Sequence, residues 1–240
     1  KSVTITDLPG IYSLSPYSPE EIVSRDYLMS GKPDVVVNLV DATNLERNLY
    51  LTTQILNLGL PVVVALNMID LVEKNGDKID VDKLSAQLGC PIVATSALKG
   101  RGMKEVIETA VKAAQAGVGA SSPVRFGDSV EMALSQIIDI VGDRVKPERA
   151  RWFAIKLLEG EQLTVDALDL PAGDLAKIAA IREALEEEMD DDAESVVTNE
   201  RYDAIGAVCA ACLTRSPKGM TTTQKIDRVV TNRILGLPIF

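Results

Sequence analysis

The chain has 240 residues, 46% hydrophobic and 25% charged, ordinary proportions for a globular protein with one large domain or two modest ones. A net charge of −10 excludes a general nucleic-acid binder, which needs a basic surface to neutralise phosphates. Three cysteines and no histidine exclude a disulfide framework and histidine-based metal or acid–base chemistry, and no apolar run reaches the roughly eighteen residues of a complete membrane span.

In chain order, the β-branched run Val3-Thr4-Ile5-Thr6 predicts a short strand ending at Asp7-Leu8-Pro9-Gly10. Pro19 opens a helix with Glu20 and Glu21 in its first turn, where negative charge suits the dipole. Val35 to Val40 is a nearly continuous apolar run, as a parallel strand covered on both faces requires. Asn44 is expected to cap the next helix and Gly59 to close it. Val62 to Leu66 and Ile92 to Ala94 are further strands, with helices predicted over Asp80 to Leu88 and Met103 to Ala116. This alternation predicts a doubly wound α/β domain with a mostly parallel sheet over 1–117.

The small, flexible residues of Gly117 to Pro123 suggest a linker over 118–127. Strand signals then vanish, and apolar residues at helical spacing predict an all-α bundle over 128–213. Its helices carry Val130, Leu134 and Ile137, then Trp152, Ile155 and Leu158, then Ile178 and Leu185, then Ile205 and Val208. Cys209 and Cys212 are expected as small core residues of the last helix. The acidic run through Glu186, Glu187, Glu188, Asp190, Asp191 and Asp192 is expected to be a solvated face and a helix start. From Leu213 onward, Arg215, Lys218, Lys225, Arg228 and Arg233 face only Asp227, so this end carries +4 and the remainder −14.

Three short motifs stand at the ends of successive strands, where open α/β sheets bind ligands. In Asp7-Leu8-Pro9-Gly10 the carboxylate of Asp7 can hold Mg2+ through water, and Gly10 lets a backbone N–H approach a terminal phosphate. In Asn67-Met68-Ile69-Asp70 the carboxylate of Asp70 can accept the N1 and N2 hydrogens of guanine, which adenine does not offer, while Asn67 can meet the base edge and brace neighbouring loops. In Thr95-Ser96-Ala97-Leu98 the N–H of Ala97 would donate to guanine O6, and Ser96 would brace the loop. Each motif alone is an ordinary turn; their order and placement together predict a guanine-nucleotide site formed by Asp7, Gly10, Asn67, Met68, Asp70, Ser96, Ala97 and Leu98.

These residues, with Ile11-Tyr12-Ser13 and Val40-Asp41-Ala42-Thr43-Asn44-Leu45-Glu46-Arg47-Asn48-Leu49, resemble the ferrous-iron transport protein B family over essentially the whole chain. The resemblance implies a P-loop GTPase-like domain, then a helical domain like a nucleotide-dissociation inhibitor, then a membrane domain. It implies GTP/GDP and Mg2+ as ligands, K+ in the intact protein, and a place on the cytoplasmic face of a bacterial cell membrane. Partners would be the protein's own transmembrane Fe2+ permease and, in the intact transporter, further copies of itself, with no nucleic acid. Met68, where many GTPases carry lysine, fits this family. The basic segment 214–240, ending in Ile234-Leu235-Gly236-Leu237-Pro238-Ile239-Phe240, resembles the approach to a first membrane helix.

No phosphate-binding G-x-x-x-x-G-K-[ST] loop occurs in the sequence. The first strand, that loop and the first switch would precede Lys1, so this chain alone is expected to bind GTP weakly and not to turn it over. Ile11 holds the position where regulatory GTPases place a water-orienting glutamine, so slow turnover is expected even of the intact protein. Residues 10–19 are the second-switch candidate. Glu20, Glu21, Arg25 and Asp26 are expected on a solvated helix face. Two alternatives stay open: a non-catalytic interaction module with the GTPase fold, and a soluble GTPase acting on ribosome or RNA.

Overall fold

The computed structural model describes residues 2–119 and 124–216. Its first half runs α1 (Pro19–Met29), β1 (Val36–Asp41), α2 (Leu45–Leu56), β2 (Val62–Asn67), α3 (Ile69–Asn75), β3 (Lys78–Ile79), α4 (Val81–Leu88), β4 (Ile92–Ala94) and α5 (Met103–Ala116). Three strands pair in parallel in the order β1-β2-β4, with Val36 opposite Val62 and Val64 opposite Ile92. Strand alternation sends Val62, Val64 and Leu66 into one core with Leu49 of α2 and Leu84 and Leu88 of α4. Val63 and Ala65 point the other way, onto Val106 and Ala110 of α5. The sheet is therefore covered on both faces, as the unbroken valine run of β2 requires.

Helix α1 begins with a reciprocal cap. The Glu21 N–H donates to Ser18 Oγ at 3.2 Å, and the Ser18 N–H donates to Glu21 Oε2 at 3.0 Å, with Pro19 at the first helical position. Such a cap is worth about 1 kcal/mol. Glu21 thus serves the helix start rather than a partner.

The second half comprises α6 (Asp128–Val141), α7 (Pro147–Leu158), α8 (Gln162–Leu168), α9 (Ala172–Met189), α10 (Ala193–Cys212) and β5 (Leu213–Thr214). Val130, Leu134, Ile137, Ile155, Leu158, Leu185 and Val197 fill its core. Helix α10 outgrows that bundle. Its Ile205, Val208, Cys209 and Cys212 enter the core of the sheet-bearing half, where burial pushes the Cys209 thiol up to about 11. All three cysteines are buried, and among the described residues no group of acids and cysteines gathers as a metal site. Strand β5 closes the path by pairing antiparallel with β3, and the Asp80 N–H donates to Cys212 O at 2.9 Å.

Several expectations are corrected. Val3 to Thr6 form no strand: this segment has no ladder partner, and Val3 and Ile5 are exposed. Asn44 makes no side-chain cap; Asp41 does so one turn earlier, accepting from the Thr43 N–H at 2.8 Å and from Asn44 Nδ2 at 3.0 Å. Burial would raise the Asp41 carboxyl, but its bonds from Thr43 and Asn44 outweigh this and hold it below the ordinary range. Val124 and Phe126, inside the expected linker, are buried, and Phe126 carries Arg151 and Arg201 at 5.2 and 5.3 Å from its ring centre. Leu213 leaves the helix to pair as strand. The basic, apolar end from 217 onward lies outside the described residues. Among the described residues no helix is long and apolar enough to cross a membrane.

Arg25 is also corrected, from solvated face to buried ion pair. Its guanidinium lies 2.5 Å from Glu161 Oε1 and donates to Thr164 Oγ1 at 3.1 Å. Lys156, 1% exposed, meets Glu159 at 2.7 Å, Glu161 at 3.4 Å and Ser15 Oγ at 3.3 Å. Gly59 brings the end of α2 against the start of α7: at φ +69 it lies where a Cβ would meet Glu148 O at 2.6 Å.

Glu131 gives the bundle an acid-sensitive joint. It accepts from both Arg151 guanidinium nitrogens, at 2.8 and 2.7 Å, and from the Phe126 N–H at 2.7 Å. Burial opposes ionisation, but the Arg151 and Phe126 bonds prevail and hold the carboxyl below the ordinary glutamate range. A depressed folded value means stability present above the unfolded pKa and lost as pH falls through the folded one. Urea unfolding at about pH 6 and about pH 3 is therefore expected to show a smaller acid loss in Glu131→Gln than in the native chain. An equal loss in both contradicts this.

Candidate functional site

The strand ends β2 and β4 lie side by side, so the loops leaving them share one rim. The Thr95 N–H donates to Leu66 O at 2.8 Å and the Ile69 N–H to Thr95 O at 3.2 Å, which stitches the two loops together. Asn67 completes the join: its Oδ1 accepts from the Ala97 N–H at 3.0 Å and from Thr95 Oγ1 at 3.4 Å. The Ala97 N–H expected to meet guanine O6 is thus bonded to Asn67 in this structure.

Met68 holds φ +62, a left-handed conformation that costs a non-glycine residue roughly 1–2 kcal/mol. It starts α3 so that Asp70 falls in the first turn, where the helix dipole favours a carboxylate. The Asp70 side chain is 10% exposed, and Lys99 Nζ stands 3.3 Å from its Oδ2. The Ser96 hydroxyl, then Lys99, hold the Asp70 carboxyl below its ordinary range. Ser96 Oγ is buried and has no partner at full hydrogen-bond geometry, so its effect is that of a nearby dipole. The result is an ionised, two-oxygen acceptor at the rim of the sheet.

The turn Ala97–Lys99 is braced behind. Ser96 and Arg101 exchange backbone bonds at 3.1 Å each, and Arg101 reaches Glu73 on α3 at 2.9 Å. Gly102 permits this return: at φ +79 its missing Cβ would sit 2.5 Å from Ala94 O. Gly102→Ala is expected to cost about 1–2 kcal/mol from backbone conformation alone, plus the clash. Thermal unfolding checks this; an unchanged midpoint contradicts it.

The predicted residues therefore divide. Asn67, Met68, Asp70, Ser96 and Ala97 meet in one place, and Leu98, 92% exposed, projects from the same turn. Asp7 and Gly10 have no hydrogen bond or ion pair to that group. Their segment is held instead by α1, through Tyr27 Oη to Thr6 at 3.0 Å and Ser24 Oγ to Pro9 O at 3.4 Å. Asp7 is exposed, and it offers Mg2+ one carboxylate rather than a site. Ile11 packs against the main core, which explains an aliphatic residue at that position. Lys99 was not legible as a site residue, since only the fold brings it to Asp70.

The second-switch candidate is pinned rather than free. Leu14 is fully buried, its N–H donates to Gln54 Oε1 at 2.7 Å, and Ser13 Oγ donates to the same oxygen at 3.2 Å. Ser15 receives Lys156, and Tyr17 donates to Glu194, so this segment touches both halves of the chain.

Comparison with known proteins agrees with this architecture. Residues 1–110 match the model for ferrous iron transport protein B, and residues 126–214 match the FeoB cytosolic helical domain. An Fe(2+) transport protein A/Fe(2+) transporter FeoB fusion protein from Porphyromonas gingivalis is 40% identical over 99% of this chain, which spans 30% of that relative's length. A GDP-bound mutant of NFeoB from S. thermophilus is 50% identical, with a TM-score of 0.83 over 87% of this chain and 80% of that one. NFeoB from the same organism bound to GDP.AlF4- and K+ is 51% identical, with a TM-score of 0.81 over 85% and 79%. The fold is thus P-loop GTPase-like with a helical domain behind it, and the chain belongs to the ferrous iron transport protein B family, as its GTPase-domain and cytosolic helical region.

Proposed function

We propose that this chain binds guanine nucleotides through the rim formed by Asn67, Met68, Asp70, Ser96, Ala97 and Leu98, and regulates Fe2+ uptake by a membrane domain. The observation that carries the proposal is the bonding of the β2 and β4 loops around Asn67, with an ionised Asp70 beside them. Asp70 accepts N1–H and N2–H of the base, the Ala97 N–H turns from Asn67 to O6, and the Met68 and Leu98 side chains cover the ring. Asp7 and Gly10 serve the terminal phosphate.

Hydrolysis of GTP requires a phosphate loop beside this rim, whose backbone N–H groups cradle the phosphates. Mg2+ supplies charge neutralisation on the phosphates, and Asp7 would reach it through water. One carboxylate does not make that site, so no step is assigned through the metal. The NFeoB relative solved with K+ supports the same ion here, without residues of this chain assigned to it. Ile11 leaves the attacking water without a side chain to orient it, which favours slow turnover. Segment 10–19 carries nucleotide state to α2 and, through Ser15 and Tyr17, to the helical region, which would slow nucleotide release. The GTPase-like domain is read as 1–117 and the helical region as starting at the buried Val124 and Phe126 and ending with α10, with the segment from 214 next to the cytoplasmic face of the membrane.

Displacement of a fluorescent GDP analogue from the full-length protein tests the proposal. GDP and GTP are expected to compete at least a hundredfold better than ADP and ATP, because Asp70 would face no donor on adenine. Equal competition by both purines contradicts it.

A further inference from the structure

Lys99 reaches in from solvent, its side chain 62% exposed, to the nearly enclosed carboxylate of Asp70, 3.3 Å away. Its place is set by the fold. The Lys99 N–H donates to Ser96 O at 3.1 Å, the Gly100 N–H to Ala97 O at 3.2 Å, and Arg101 ties the turn to Glu73 of α3. The turn that presents Lys99 and the helix that presents Asp70 are therefore one unit, which keeps the ammonium within reach of Oδ2.

We infer that Lys99 is a specificity-determining residue of the guanine site: it competes with the base for one oxygen of Asp70 and so blunts discrimination between guanine and hypoxanthine. This rests on Asp70 being the acceptor for the base. Guanine presents two groups on that edge, N1–H and the exocyclic amine, and needs both carboxylate oxygens. It must displace or share the ammonium at Oδ2. Hypoxanthine presents N1–H alone, takes one oxygen and leaves Lys99 on the other. With Lys99 in place neither oxygen is orphaned in the hypoxanthine complex; without it, one is, and an unpaired buried acceptor is heavily penalised. An ion pair with one exposed partner is weak, so guanine still displaces it at small cost. Lys99, with Ser96, also keeps the carboxyl ionised, so both oxygens stay acceptors.

The test measures dissociation constants of GDP and IDP, by competition with a fluorescent GDP analogue, for the full-length native protein and for Lys99→Met, which has no donor, Lys99→Arg and Asp70→Ala. Lys99→Met is expected to bind GDP about two- to fivefold more tightly. The GDP-over-IDP preference is expected to widen by about fivefold or more, since the orphaned oxygen penalises IDP alone. Lys99→Arg, which keeps the charge, should restore the native ratio. Raising salt should widen the ratio in the native protein, by screening the pair, and leave it unchanged in Lys99→Met. An unchanged ratio in Lys99→Met, or weaker GDP binding, overturns the inference. Asp70→Ala separates the two claims. If it keeps GDP affinity, the base site itself is misplaced; if it loses affinity while Lys99→Met keeps the native ratio, only the role of Lys99 falls.

Discussion

Asp70→Asn is expected to lower affinity for GDP by about a hundredfold to a thousandfold and to raise affinity for xanthosine diphosphate. The carboxylate offers acceptors only, held ionised by Ser96 and Lys99, and matches the two hydrogens of guanine's N1–N2 edge. The amide presents one donor and one acceptor. Guanine then sets an amine against an amide donor in an almost enclosed place, whereas xanthine, with a carbonyl where guanine has the amine, meets both groups of the amide. Because the side chains are nearly isosteric, the first turn of α3 is kept. Competition binding with both diphosphates reads the result, and a variant that still prefers GDP contradicts it.

The second large effect concerns stability. Lys156→Ala is expected to destabilise the chain by about 3–5 kcal/mol, the usual cost of removing one member of a buried ion network. Lys156 and Arg25 supply two positive charges against Glu159 and Glu161, and Trp152 lies 5.1 Å below the ammonium. Without Lys156 two buried carboxylates face one guanidinium, and Ser15 loses its donor. Urea unfolding measures the loss, and proteolysis should cut residues 10–18 faster in the variant. A loss under about 1 kcal/mol contradicts a buried network and would suit a surface pair. The same cluster ties Ser15 to the helical region, because a displacement of Ser15 would take a hydrogen-bond acceptor from Lys156 on α7.

Much of the fold could be read from side-chain periodicity. The valine run of β2 is apolar on both sides because α2 and α4 cover one face and α5 the other. Helices α6, α7, α9 and α10 declare themselves by apolar residues spaced for one face. Short elements escaped for a reason. Helices α3 and α8 have seven residues each, too few for a period, and β3 and β5 have two. The strand expected at Val3 to Thr6 failed because β-branched residues mark a strand only where a neighbour supplies the ladder. Arg25 was misjudged because its burial depends on Glu161 and Thr164, more than a hundred residues away. In the site, Asn67, Asp70 and Ala97 were legible because each sits at or just past the end of a strand. The Ala97-to-Asn67 bond and the Lys99-to-Asp70 pair were not, since both arise between loops.

The most direct measurement follows the backbone amides of the full-length protein by NMR during titration with GDP and, separately, ADP. If the loops after β2 and β4 close on one purine, GDP shifts Asp70, Ala97 and Lys99 together at one affinity, and ADP leaves them in place. Saturation with GDP that moves amides elsewhere and leaves these three unmoved would contradict the site.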